Sequence, residues 1–423
     1  MRCYIKQGLL EGRLQPECAD PLTILNFAGL YPTNPRETVY VLLNKEFVQM
    51  APSVKAQSVP APQGLLKPSQ REETVLLPDL FVSFHAEEPR FHPGYQQVKQ
   101  ESEAWFANVC HYDEKSYKKL VKADFPSFIA MWVHDVKLDD FRTICDWSSW
   151  VFDFDDMFDE GTLNKNPEQA RIQITNHKNV MNQDDPTRMM IPEDPLLKVF
   201  ASVWHRVAKR SSEVIRKRFI ESNIDYMEGV LRQVEVVASA GRPDEEEYIA
   251  MRRRSIGVTP CLAFIDYCYD LDLPDEVVHH PSIQELQKVA KELVVIQNDA
   301  VSFLKELADG IDQNLVAFYG RCGMPPQEAY DRIGTLYKAR CRQWYLAWAD
   351  VPQWGETMDK QVQKYIHSMQ DLVTANLNWS FRSTRYFGEK TGQVRMTRAI
   401  TVSSEQLLKN GLTPPGKKSA AKP

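Results

Sequence analysis

Apolar residues recur at helical spacing through almost the whole chain from about residue 78 onward, and this pattern constrains the fold more than any other feature. Strand-like alternation is rare in this part, and turn residues such as Gly241-Arg242-Pro243 and Asp309-Gly310 separate the periodic segments. We therefore predict an all-α fold, with helices over residues 94–110, 113–123, 126–136, 139–160, 194–221, 223–241, 243–271, 281–308, 312–322, 325–350 and 355–388.

Composition divides the 423 residues into three parts. Residues 1–75 differ from the rest because the stretch from Ala51 to Ser69 is rich in Pro, Gln, Ser and Lys and has no sustained period, which predicts a partly disordered N-terminal extension. Residues 76–392 form the predicted helical domain, which is too long for a simple four-helix bundle. Residues 393–423 are predicted to form a C-terminal tail with a solvated end.

Charge and hydropathy exclude several classes of partner. The formal net charge is −6, and the triplet Arg252–Arg254 is too short to track a phosphate backbone, so we expect no nucleic-acid partner. No window reaches the roughly 18 apolar residues of a membrane span, and no secretory signal opens the chain. The eight cysteines are scattered, which is typical of reduced thiols, and we expect a cytoplasmic protein.

Three aspartates, Asp155, Asp156 and Asp159, end an otherwise apolar and aromatic helical segment that begins near Phe141. Asp155 and Asp159 are four residues apart and share a face, where like charges repel unless a cation or water compensates them. Carboxylates of this kind suit Mg²⁺, which takes one or two of them and completes its shell with water and phosphate oxygens. The alternative is an acidic helix end that is exposed to solvent. However, the apolar residues that precede the aspartates in this segment place its end at the mouth of a cavity.

A second polar set, Asn298, Ser302 and Glu306, recurs at four-residue spacing in a later helical segment. Each step of four turns a helix by about 40°, so the three oxygens form a slightly slanted column on one face. Such a column suits a second divalent ion. By itself it would more simply be a polar stripe; its coexistence with the aspartate cluster favours a metal site.

These motifs resemble those of microbial class I terpene synthases over residues from about 78 to 392. Asp155-Asp-Met-Phe-Asp159 and Asn298-Asp-Ala-Val-Ser-Phe-Leu-Lys-Glu306 are similar to the family's aspartate-rich and Asn/Ser/Glu motifs in order and spacing. Arg385-Tyr386 resembles its terminal Arg-Tyr motif, and Arg252 stands where the family has its diphosphate-sensing arginine. The pattern is most similar to fungal sesquiterpene synthases, including the presilphiperfolanol synthase type.

The resemblance implies a helical bundle around a central active-site cavity and three Mg²⁺ ions held by the two motifs. It implies that Arg252, Lys305, Arg385 and Tyr386 bind the diphosphate of an isoprenoid substrate. Farnesyl diphosphate is the expected substrate and geranylgeranyl diphosphate the alternative, with a monomer or homodimer as the working form. Phe152 and Trp379 are candidates for stabilising a carbocation in the pocket, although aromatic residues at helical spacing also form ordinary cores.

Three other functions compete with this one. Asp153-Phe-Asp-Asp156 fits the acid motif of class II cyclases, but those sites do not need the Asn/Ser/Glu column and use a further domain. A chain-elongating prenyltransferase would carry a second aspartate-rich motif in place of that column. A helical protein without activity would not be expected to keep every metal-ligand type. The sequence therefore predicts a lyase that ionises and cyclises an isoprenoid diphosphate.

Overall fold

Helices make up nearly all of the regular structure in the described part of the chain. The computed structural model describes residues 72–412 and Pro414, except Glu160 and residues 183, 184, 186, 187, 189 and 190. The predicted N-terminal extension lies outside the described residues up to position 71.

The predicted all-α class is confirmed. The helices are α1 (Tyr95–Val109), α2 (Glu114–Ala123), α3 (Phe125–Trp132), α4 (Leu138–Asp159), α5 (Pro167–Met181), α6 (Pro195–Arg210), α7 (Glu213–Ala238), α8 (Glu245–Ser255), α9 (Val258–Tyr269), α10 (Asp275–Val278), α11 (Pro281–Asp309), α12 (Leu315–Arg321), α13 (Pro326–Ala349), α14 (Glu356–Ser380), α15 (Thr391–Thr397) and α16 (Ser404–Lys409).

Helix α4 crosses the interior and carries the aspartates at its C-terminal end. Its apolar side chains, among them Trp147, Trp150 and Phe154, are almost completely buried, because α1, α3 and α6 pack around it. Burying side chains of this size supplies a large share of the hydrophobic stabilisation of the domain. The helix therefore holds its polar last turn in a fixed position at the edge of the core.

Helix α11 is the second central element and packs against α13 and α14. Pro281 opens the helix at a position that needs no backbone donor, and Gly310 ends it at a φ of 74°, a left-handed conformation that glycine adopts without strain. Between these ends the helix runs for 29 residues and is mostly buried. It therefore presents the column at positions 298, 302 and 306 from a rigid support.

Helix α5 is absent from the helices that the sequence predicts. Asn166 caps its N-terminus by accepting from the Gln169 backbone, and Pro167 follows at the first helical position. The residues that it buries are Ala170, Ile174, His177, Val180 and Met181, which lie on one helical face. The helical spacing of these buried residues is present in the sequence, but the many polar residues between them concealed it.

The break between α6 and α7 was also predicted at the wrong place. We expected it near residue 222, whereas α6 ends at Arg210 and α7 begins at Glu213. Ser212 caps α7 by accepting a hydrogen bond from the Ile215 backbone amide. This cap decides the boundary, and α7 continues unbroken through residue 222 because it packs along α8 and α9.

The segment predicted as one helix over residues 243–271 is two helices, α8 and α9, separated at Gly257. Gly257 has a φ of 77°, and a side chain there would strain this left-handed conformation. Arg252 and Thr259 therefore lie on two different helices and not on one continuous helix. The break places Ile256, Gly257 and Val258 on the wall of an internal cavity.

A two-stranded antiparallel sheet joins the two ends of the described chain. Strand β1 (Glu72–Leu76) pairs with β2 (Ala399–Ser403), with Thr74 opposite Thr401. The expected domain limit at residue 76 falls on the last residue of β1 and the limit at residue 392 falls inside α15, before β2, and regular structure continues to Lys409 in α16. Two strands that pair across so long a stretch of sequence leave no periodic pattern near either of them. Strands as short as these also carry little information in their own residues, so the sequence did not predict them.

The described residues include six of the eight cysteines, all as free thiols. Four of them, Cys145, Cys261, Cys268 and Cys341, are buried. Within the same residues, no helix has the length and apolar character needed to cross a membrane.

Candidate active site

A cavity enclosed by α4, α7, α8, α11 and α14 contains all twelve site residues that the sequence predicted. Its empty volume, counted with its open mouth, is about 980 Å³. One end is polar and the other is apolar. The lining includes Phe152, Asp155, Asp156, Asp159, Arg252, Asn298, Ser302, Lys305, Glu306, Trp379, Arg385 and Tyr386.

The aspartate cluster occupies the last turn of α4, and α7 supplies a hydrogen-bond donor to each end of it. The Tyr226 hydroxyl lies 3.2 Å from Asp155 Oδ1, and the Gln233 side-chain nitrogen lies 2.7 Å from Asp159 Oδ1. Burial, together with the charge of Asp159, raises the pKa of Asp155 well above its ordinary range. Two such carboxylates close together favour a bound cation, which would compensate both burial and mutual repulsion.

The column on α11 is held by one buried amide. The Asn314 nitrogen Nδ2 lies 2.9 Å from Glu306 Oε2, 3.3 Å from Ser302 Oγ and 2.8 Å from the Asp299 carbonyl oxygen. Burial, and then the nearby Asp299 carboxylate, raises the pKa of Glu306 to about 7. Asn314 therefore fixes the side chains of two predicted metal ligands at once.

Arg252 is almost completely buried and projects from α8 toward both motifs. It donates through Nη1 to Gln233 Oε1 at 3.2 Å, and through Nη2 to Asn298 Oδ1 at 3.2 Å and Asp299 Oδ1 at 3.3 Å. Burial opposes its charge, but Asp299 raises the pKa of Arg252 above its ordinary value. Its Nε has no hydrogen-bond partner among the described residues, so one donor of the guanidinium fork is left for a ligand.

The neighbouring arginines, Arg253 and Arg254, do not line this cavity. Arg253 forms an ion pair with Glu292 at 2.6 Å, and Arg254 forms one with Asp225 at 2.8 Å. Of the triplet, Arg252 is the residue that lines the cavity.

Arg385 and Tyr386 follow α14 and close the polar end from the opposite side. Arg385 Nη2 lies 2.8 Å from Asp156 Oδ1, and its Nε is buried without a partner among the described residues. The Tyr386 hydroxyl accepts a hydrogen bond of 3.1 Å from Asn298 Nδ2. The Arg-Tyr pair thus contacts one residue of each motif, from a segment that follows both motifs along the chain.

Aromatic rings line the apolar side of the cavity next to the charged end. Phe152 stacks on Phe125 with ring centroids 4.1 Å apart, and Trp379 lies 5.1 Å from the Phe152 ring. The Arg385 guanidinium lies 5.2 Å from the Phe152 centroid. The wall continues through Phe128, Trp147, Val151, Val294 and Leu372. The face of an aromatic ring can stabilise a nearby positive charge through its quadrupole.

The oxygen atoms at the polar end suit a divalent ion that prefers oxygen ligands. The two helices offer carboxylate, amide and hydroxyl oxygens, the ligand types that Mg²⁺ takes. Within the described residues, no three His, Cys, Asp or Glu side chains converge on one point. The residues that could hold the ion are Asp155, Asp156, Asp159, Asn298, Ser302 and Glu306, of which Asp156 also accepts a hydrogen bond from Arg385.

Sequence reasoning missed the residues that support this site from other helices. Tyr226 and Gln233 orient the aspartates, and Asn314 orients the column. Tyr248 donates to the buried Asp299 at 2.7 Å and so steadies the partner of Arg252. None of these residues belongs to a motif, and only their tertiary contacts reveal them.

Comparison with known proteins places the chain in a family. The family described as "Terpene synthase family 2, C-terminal metal binding" matches residues 146–343. Silphinene synthase of Penicillium patulum is 42% identical over 335 residues, which cover 78% of this chain and 90% of that protein. Sesquiterpene synthase 3 of Postia placenta is 30% identical over 354 residues, covering 82% and 94%.

A solved structure shows the same fold at lower identity. Germacradien-4-ol synthase from Streptomyces citricolor superposes with a TM-score of 0.60 at 19% identity, over 70% of this chain and 96% of that one. The match to its fold, the matched metal-binding region and the identity to the fungal relatives all agree with the geometry of the cavity. The chain therefore belongs to the terpene synthase family, as a class I terpene cyclase of the fungal type with a divalent-metal-binding domain.

Proposed function

We propose that this protein is a sesquiterpene synthase that ionises farnesyl diphosphate with Mg²⁺, three ions in all, and cyclises the carbocation that remains. The observation that carries the proposal is the division of one cavity into an end with metal-type oxygens and two buried arginines, and an end walled by aromatic and aliphatic side chains. We assign the diphosphate to the first end and the C15 isoprenoid chain to the second. The name of the Postia placenta relative supports the same chain length.

The polar end would bind and orient the leaving group. Arg252 and Arg385 each keep an unpartnered Nε, and a planar guanidinium binds phosphate oxygens through parallel hydrogen bonds. Lys305 and the Tyr386 hydroxyl line the same end and supply further donors. When bound, Mg²⁺ would neutralise the developing charge of the diphosphate as a Lewis acid. The carbon–oxygen bond then breaks, with both electrons leaving on the diphosphate oxygen.

The apolar end would protect the allylic cation from water. Phe152 and Trp379 present ring faces that stabilise positive charge, and the aliphatic wall leaves little room for solvent. Because the ring of Phe152 lies beside Arg385, the cation would form next to an aromatic face and close to the departing diphosphate. The shape of this wall then decides which ring closures follow.

The test is to incubate the purified protein with geranyl, farnesyl and geranylgeranyl diphosphates, with and without Mg²⁺, and to analyse volatiles by gas chromatography with mass detection. We expect a cyclic C15 product that requires Mg²⁺ and disappears in the Asp155→Asn and Asn298→Ala variants. Asp225→Asn, which alters a surface carboxylate paired with Arg254, is the matched control and should keep activity.

The outcomes separate the alternatives. A product from geranylgeranyl diphosphate alone would make the protein a diterpene synthase. No product from any substrate, with the protein folded by circular dichroism, would favour a non-catalytic helical protein of the same fold.

A further inference from the structure

Gln233 lies between the aspartate cluster and Arg252 and forms hydrogen bonds to both. Its Nε2 donates to Asp159 Oδ1 at 2.7 Å, and its Oε1 accepts from Arg252 Nη1 at 3.2 Å. A carboxylate can only accept and a guanidinium can only donate, so the orientation of the amide is fixed from both sides. Ser255 adds a third contact, donating from its hydroxyl to Oε1 at 2.7 Å.

The close approach of α7 and α8 allows one side chain to span the gap. Gly229 lies one turn before Gln233 on α7, and a Cβ there would be 2.5 Å from Arg254 Cβ and 2.6 Å from the Arg254 carbonyl carbon. Only a residue without a side chain permits this contact between the helices. The spacing at Gly229 therefore brings the α8 segment that carries Arg252 within reach of Gln233.

Both partners are buried charged groups that would otherwise attract each other. Arg252 and Asp159 each influence the pKa of the other, so their electrostatic interaction extends across the amide. Without an intervening neutral group, the guanidinium and the carboxylate would pair directly and neutralise each other's binding capacity. The amide contacts Asp159 Oδ1 and Arg252 Nη1, and Arg252 Nε has no partner among the described residues.

We propose that Gln233 is a positioning residue, a neutral spacer that keeps Asp159 and Arg252 apart and aligned so that metal and diphosphate are bound together. This inference rests on the proposed function, because it assigns a metal-binding role to Asp159 and a diphosphate-binding role to Arg252. It adds a residue on α7, outside every motif, to the binding machinery. Removing the spacer should weaken ligand binding by more than the loss of one hydrogen bond, since both charged groups are misplaced.

The test measures the binding of inorganic diphosphate by calorimetry at saturating Mg²⁺, so that it needs no turnover. Gln233→Met keeps the volume but forms no hydrogen bonds, and we expect its dissociation constant to rise by roughly tenfold or more. Gln233→Asn keeps the amide but is one methylene shorter and cannot span both partners, so it should weaken binding as well. Asn223→Leu is the control, because Asn223 is a buried amide on α7 whose side-chain nitrogen donates to the Phe219 carbonyl oxygen of the same helix.

A double-mutant cycle distinguishes positioning from general destabilisation. If Gln233 aligns Arg252 as well as Asp159, then Gln233→Met should weaken diphosphate binding by a clearly smaller factor in an Arg252→Met background than in the unaltered protein, because one of the two groups that it aligns is already gone. The same penalty in both backgrounds would overturn the proposal, as would full binding by Gln233→Asn or unchanged binding by Gln233→Met. If the unaltered protein does not bind diphosphate with Mg²⁺, the proposed function is wrong, and this inference falls with it.

Discussion

The Arg385 guanidinium donates a 2.8 Å hydrogen bond to the Asp156 carboxylate, joining the end of α4 to the segment after α14. The two residues are 229 positions apart in the chain. Both side chains are largely buried, and the Asp156 charge helps to raise the pKa of Arg385 against the opposing effect of burial. This contact closes the polar end of the cavity, and it fixes the remaining guanidinium donors in place for a ligand.

Replacement of Arg385 by lysine should impair catalysis while leaving the fold intact. Lysine keeps the charge but loses the planar fork that contacts Asp156 and a diphosphate at the same time. We expect kcat/KM with farnesyl diphosphate to fall at least about tenfold, or roughly 1.4 kcal/mol. Arg382→Lys is the matched control, because Arg382 pairs with Glu88 at the surface. Equal losses in both variants would contradict the role of Arg385.

The Asn314→Ala variant should need more Mg²⁺ than the unaltered protein. Asn314 holds Ser302 and Glu306 and also caps α12, so its loss frees two predicted ligands and costs about 1 kcal/mol of stability as a cap. We expect the Mg²⁺ concentration for half-maximal diphosphate release to rise about tenfold. Asn166→Ala removes the similar cap of α5 and should lower stability without changing the Mg²⁺ requirement. Identical metal titrations for the two variants would refute the prediction.

Addition of a methyl group at Gly229 should destabilise the contact between α7 and α8. The new Cβ would overlap Arg254 backbone and side-chain atoms at 2.5–2.9 Å, and overpacking of this kind costs about 1–3 kcal/mol. We expect the free energy of unfolding of Gly229→Ala, measured by urea titration, to fall by that amount. At Gly392, in α15, no described atom lies within 4 Å of the position that a methyl group would occupy, so Gly392→Ala should be neutral or slightly stabilising.

The stability of the protein should decrease in acid because His177 is buried in its neutral form. Its Nε2 accepts from the Trp150 indole at 3.3 Å, and burial lowers the pKa of His177 from 6.5 to about 4. The unfolded chain binds the proton more readily, so this contribution is complete above pH 6.5 and is lost progressively as the pH falls toward 4. A shift of this size corresponds to about 3 kcal/mol.

Urea titrations between pH 7 and pH 4 check this linkage. His177→Gln keeps an acceptor for Trp150 but does not titrate, so its stability should vary less with pH than that of the unaltered protein. His279→Gln alters an exposed histidine and should retain the full dependence. An unchanged pH profile in His177→Gln would assign the dependence to other groups.

The sequence predicted the chemical groups of the site because they repeat along single helices. Asp155 with Asp159, and Asn298 with Ser302 and Glu306, are spaced by four residues, and this spacing alone places their side chains on one face. The apolar segment before Asp155 showed in the same way that the acidic turn lies at the edge of the core. The helical class followed from the same periodicity.

Element boundaries were less predictable, since local signals compete with packing. A lone glycine inside a helical pattern is compatible with a continuous helix, so the break at Gly257 became visible only from its φ of 77°. The polar residues of α5 concealed a narrow apolar face that is buried by α6 and α7.

The sequence by itself determined the helical class, the motifs and the ligand types, because each depends on residues within a few turns of one another. Only the tertiary structure decided that Tyr226 and Gln233 orient the aspartates, that Asn314 holds the column, and that Arg385 meets Asp156. The physical reason is that hydrogen bonds between helices depend on how the helices pack and rotate relative to one another. No spacing along the chain encodes that arrangement.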